Sequence, residues 1–104
     1  MGDKIQKEKY FLKFLFNTTE QQQKILMKHL TKSQMDVLVE VIYNAIMGNL
    51  TISDTDKRRL QRYRHVIRKV VSKGLSQKRR KSILLKHFKQ IISLIKPCES
   101  WLRN

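Results

Sequence analysis

Residues 57–89 hold fourteen Lys or Arg and no Asp or Glu. Such a stretch is suited to neutralising a row of phosphates. Arg58, Arg62, His65, Lys69 and Lys73 succeed one another at steps of three or four residues, the spacing that aligns side chains on one side of an α-helix. Lys57, Arg64 and Arg68 form a second line beside them. Arginine is common here, and its planar fork fits phosphate oxygens better than the point charge of a lysine does. Lys78, Arg79, Arg80 and Lys81 follow Ser76 and begin another helix, where backbone amides also favour an anion. Gly74 lies between the two and is expected to make a tight corner that lets both basic elements face one groove. No set of Asn or Gln is placed as on a base-reading helix, so contacts to the nucleic-acid backbone are expected to dominate.

Other chemistries find little support. His29, His65 and His87 lie far apart, with no Cys or Asp at ligand spacing, so neither a metal nor another cofactor is expected. Asp54 and Asp56 are two residues apart, but a helix start accounts for both. There is no phosphate loop, nucleophile elbow or zinc-protease motif, and the chain is read as a non-enzyme. Cys98 is the single cysteine, which excludes an intramolecular disulfide and fits a reducing compartment. No apolar run approaches the length of a membrane span, and the N-terminal sequence lacks the pattern of a secretory leader. The expected setting is intracellular, in a nucleus or a virion.

The charge is unevenly divided. Residues 1–56 carry seven Lys and seven acids, whereas residues 57–104 carry sixteen Lys or Arg against Glu99, so the net +15 belongs to the second half. Ordinary surfaces intersperse both signs. A cationic block of this length repels itself, and a polyanion would relieve that cost.

The elements that must position these residues are helical. Three Gly and one Pro in 104 residues are too few for a strand-rich fold, and 40% apolar residues suffice for one core. A first helix holds Phe11, Leu12, Leu15 and Phe16 and ends near Asn17. Asn17 and Glu20 read as a capping box for a second, with Ile25, Leu26 and Leu30 on its apolar side. Thr31 and Gln34 form a box for a third, central helix bearing Met35, Leu38, Val39, Ile42 and Ile46, with Val41 and Ala45 on the flank and Gly48-Asn49 as its stop. Ser53 caps a fourth, whose buried stripe is Leu60, Tyr63, Ile67, Val70 and Val71 and which Gly74 ends; Tyr63 is read there as core and not as a stacking platform. Ser76 caps the fifth, with Leu84, Phe88, Ile91, Ile92 and Ile95 inward and Pro97 as its stop. The expectation is one all-α domain over residues 1–104, a compact bundle of four to five short helices.

Residues 34–85 resemble small basic proteins encoded by Polinton-like DNA elements and adintovirus-like viruses. The similarity rests on Leu38, Glu40, Asn44, Gly48, Asn49, Leu50, Ser53, Lys57, Leu60, Ile67, Lys73, Leu75, Ser76, Lys81 and Leu84, and spans about half the chain. Members of that group often end in a Gly-Gly-Phe tail, whereas here the region reads KHFKQIISLIKPCESW, without glycine. The resemblance implies a virion-core or genome-associated role.

The expected function is sequence-tolerant nucleic-acid binding, with DNA favoured over RNA, through Lys57, Arg58, Arg62, Arg64, Arg68, Lys69, Lys73, Lys78, Arg79, Arg80 and Lys81. The KRRK run at 78–81 also matches a nuclear address. Two alternatives stand beside this reading. One is a module that binds an acidic protein. The other is membrane activity through the basic amphipathic segment ILLKHFKQIISLIK, which equally suits a packed helix, so a membrane partner is not expected.

Overall fold

The computed structural model describes residues 3–47 and 53–102. They form α1 (Asp3–Lys7), α2 (Lys9–Asn17), α3 (Glu20–Lys28), α4 (Lys32–Ile46), α5 (Asp54–Arg62), α6 (Arg64–Val71), α7 (Gln77–Lys86), α8 (Phe88–Ile95) and a closing 3₁₀ helix (Lys96–Leu102). The fold is all-α, but the count of four to five helices is corrected: three of the expected helices are each divided by a single residue.

Those residues are Glu8, Tyr63 and His87. Their φ/ψ values of −103°/20°, −99°/14° and −118°/22° lie in the bridge region beside the helical basin. None carries a side-chain cap, and the carbonyl of each already accepts the first bond of the next helix, from Leu12, Ile67 and Ile91 respectively. No Gly or Pro marks them, so the hydrophobic period runs through each break unaltered.

True starts carry caps. Thr31 and Gln34 make the reciprocal box expected of them, which contributes about 1 kcal/mol to a helix start. Ser76 Oγ accepts from the Arg79 amide, as read. The Asn17–Glu20 box is corrected. Thr19 caps α3, its hydroxyl accepting from the Gln22 amide, while Asn17 still belongs to α2 and donates to the Lys13 carbonyl and to Glu99. The Asn-Thr-Thr run offers several caps, and the one two residues later wins. Ser53 precedes α5, and its carbonyl accepts from the Lys57 amide. The Gly48-Asn49 stop lies outside the described residues, as do the side chains of Ile46, Asp56, Leu60 and Trp101.

α4 runs through the centre, packing against α1, α6 and α8. Met35, Val37, Leu38, Val41, Ile42 and Ala45 are buried along it, and Val39 is half-buried. The facing surface of α8 contributes Phe88, Ile91, Ile92, Leu94 and Ile95. On α3 the buried residue is Met27, with Leu30 just beyond the helix, while Ile25 is exposed, contrary to its expected place. Shifting the cap to Thr19 leaves the period intact, but the face that packs on α7 and α8 is set by those partners. Tertiary hydrogen bonds tie down the N-terminal part: Ser33 Oγ donates to Glu8 at 2.9 Å and Gln23 Nε2 to the Leu15 carbonyl at 2.9 Å. Pro97 does end α8, but the chain continues as 3₁₀ helix and buries Cys98 and Leu102. The radius of gyration is 12.6 Å, close to the roughly 13 Å expected of a 100-residue globule.

Candidate nucleic-acid interface

The fourth expected helix becomes α5 and α6, joined at Tyr63 with the Ile67 amide bonded to the Tyr63 carbonyl at 3.0 Å. Ile67 and Val70 are buried on its inner side, with Tyr63, Val66 and Val71 half-buried. This burial leaves Lys57, Arg58, Gln61, Arg62, Arg64, His65, Arg68 and Lys69 exposed on the outer side. Their angular spread at 100° per residue covers about half the helix circumference. The two lines of cations read from the spacing are therefore one broad solvent-facing band.

α6 ends at Val71, three residues before Gly74. Ser72 is extended, its amide bonded to the Lys69 carbonyl, and a turn through Lys73 and Gly74 closes with the Leu75 amide on the Ser72 carbonyl. Gly74 is not left-handed, and a Cβ there would meet nothing within 4 Å, so the corner does not require glycine.

The corner is held instead by Arg80. Its side chain is 8% exposed. Nε donates to the Val70 carbonyl at 2.8 Å, Nη2 to the Ser72 carbonyl, and Nη1 to Gln77 Oε1 at 3.2 Å. The guanidinium thus satisfies carbonyls at the C-terminal end of α6, where a cation also meets the negative end of the helix dipole. Arg80 differs from the other cations expected to meet phosphate: it is buried, and three of its five N–H donors are engaged inside the fold. Lys73, Lys78 and Arg79 around it are exposed, and Lys81 is half-buried. The KRRK run is accordingly not presented as one exposed block.

Of the eleven expected residues, nine are exposed, Lys81 is half-buried and Arg80 is buried. Among the described residues, none of the exposed nine forms an ion pair. An ion pair from Lys89 Nζ to Glu20 at 2.6 Å lies across the contact between α8 and α3. Sequence spacing omitted Gln61 from the band; its position between Arg58 and Arg62 was the available signal.

The other reactive groups are inert or scattered. Cys98 is fully buried, and burial, with the Glu99 charge second, pushes its thiol up to about 12. Among the described residues, no three His, Cys, Asp or Glu are grouped to hold a metal ion. No described helix is long and apolar enough to cross a membrane, and the apolar side of the 83–95 segment is occupied by the core. Comparison with known protein families, with curated proteins and with solved structures yields no match for this chain.

Proposed function

We propose that this protein is a non-enzymatic, sequence-tolerant nucleic-acid-binding protein that packages or organises a genome, with DNA favoured over RNA. One observation carries the reading: the exposed cations of α5, α6 and the start of α7 have no acidic partner among the described residues. Surface cations with no role beyond solubility are normally interspersed with acids. Here the arrangement concentrates positive potential on adjoining elements, which attracts a polyanion at long range and gains affinity by releasing its counterions.

The α6–α7 corner supports the same reading. Arg80 fixes the start of α7 against the end of α6, so the two elements that carry Arg68, Lys69, Lys78 and Arg79 are joined through a braced connection. A pre-set surface loses less entropy on binding than a flexible basic tail does. The resemblance to proteins of Polinton-like elements and adintovirus-like viruses is consistent with a virion-core role, and residence in a nucleus or virion belongs to this proposal.

Salt-titrated binding to a random-sequence duplex is the test. With six phosphates neutralised, log K should fall against log[salt] with a slope of about −5. An affinity no better than millimolar at about 150 mM salt would end the proposal, since non-specific DNA binding proteins reach about 10⁻⁴–10⁻⁶ M under those conditions.

A further inference from the structure

Beside the basic band, where the end of α5 meets α8, lies a pocket of about 260 Å³ lined by Arg62, Tyr63, Lys89, Gln90, Ser93 and Leu94. Its residues come from two segments more than twenty positions apart, so no local motif announces it. We infer that this pocket receives one unstacked nucleotide of a single-stranded nucleic acid, an inference that rests on the function proposed above.

The lining matches the parts of a nucleotide. Tyr63 supplies an aromatic ring that can cover the face of a base, with the largely buried Leu94 also in the lining. Gln90 carries both a donor and an acceptor, which suit the polar edge of a base. Arg62 and Lys89 bring positive charge for the flanking phosphates. The volume lies just under the range of about 300–1,000 Å³ typical of sites for drug-sized ligands, so a single nucleotide is the appropriate scale.

Two features of the fold make the site accessible. Tyr63 is the residue that divides α5 from α6, and it is half-buried, packing on the core while also lining the pocket. The reading of Tyr63 as a core residue is therefore only half of its role. Lys89 is engaged by Glu20, but both side chains are 60% exposed, and an ion pair so exposed yields readily to a phosphate. Arg62 belongs at once to the band and to the pocket, so a strand bound along α5 and α6 passes the opening. A base paired within a duplex is not free to enter, whereas an unpaired one is.

The experiment compares a short oligothymidine with an abasic strand of equal length, which keeps the phosphates and lacks the bases. Binding of each to the full chain is titrated against salt. The expected result is the same salt slope for both strands and an affinity about five- to a hundredfold higher for the intact one. Tyr63→Leu, which keeps an apolar side chain against the core, should abolish that preference without changing the slope. Gln90→Ala should weaken it, and decides the matter if circular dichroism shows that Tyr63→Leu has not folded. Equal affinities for the two strands in the wild-type protein, at an undiminished slope, would overturn the pocket inference and leave the proposed function standing. A preference that persists in the folded variants overturns it as well. If neither strand nor a duplex binds at about 150 mM salt, the proposed function fails and the pocket inference with it.

Discussion

At Arg80 a residue of the expected binding set does something else. Its guanidinium is buried and donates to the Val70 and Ser72 carbonyls and to Gln77. Arg80→Gln should therefore lower stability by about 1–3 kcal/mol, the cost of leaving the buried Val70 carbonyl without its donor. Arg79→Gln, three residues after the cap and exposed, should stay within about 0.5 kcal/mol of the parent. Urea midpoints of the two variants measure this, and equal midpoints would contradict the bracing role. Cys98 makes a second prediction. Its folded thiol is raised from 9.0 to about 12. The native state thus keeps its proton at pH values where the unfolded state has lost it. The stability tied to the neutral thiol is complete below pH 9 and declines as pH rises from about 9 towards 12. The comparison with Cys98→Ala isolates the thiol: the stability advantage of wild type over the variant should shrink between pH 8 and pH 10. The same buried thiol should resist alkylation in the native protein at neutral pH.

Among the elements, the caps and the breaks behave differently. Thr31 with Gln34 and Ser76 are recognisable because a cap needs particular side-chain oxygens three residues before an amide. Glu8, Tyr63 and His87 have no such requirement, and any residue type can occupy the bridge region at a bend. Their breaks follow from how long amphipathic segments wrap a small core, which no local spacing records. The α6–α7 turn is the converse case, since its glycine looked necessary and is not. Gly74→Ala, with no left-handed backbone and open space at Cβ, should raise stability by about 0.4–1 kcal/mol by narrowing the unfolded ensemble. Thermal or urea denaturation checks it, and a loss of stability would mean that the turn needs glycine after all. Ile25 and Met27 mark the limit of reading faces from periodicity: both are apolar and two residues apart, yet only Met27 is buried. Which of them turns inward depended on where α7 and α8 lie against α3.

For the molecule as a whole, the division of charge is the governing feature. The neutral first half supplies the central helix α4, and the second half carries the excess of positive charge. Replacing Arg58, Arg62, Arg68 and Lys69 together by Gln should reduce the magnitude of the salt slope by about 3 to 4 and weaken binding to every sequence alike. Filter binding or anisotropy over a salt series on several unrelated duplexes measures both effects. A variant with an unchanged slope would show that the α5–α6 band does not contact phosphate. All four side chains are exposed, so the fold should tolerate the exchange.

By itself the sequence determined that the protein is helical, where Thr31 and Ser76 start helices, which side of residues 63–71 turns inward, and that one half carries the charge. Each of these follows from short-range rules: hydrophobic period, cap chemistry and the solvation of cations. Only the tertiary structure decided that Arg80 is a buried brace and not an exposed cation, that Glu20 is a partner of Lys89 and not of a cap, and that Tyr63 lines a pocket with Gln90 and Ser93. The physical reason is common to all three. A lysine, arginine, glutamate or tyrosine has several competent partners, and packing of distant helices selects among them.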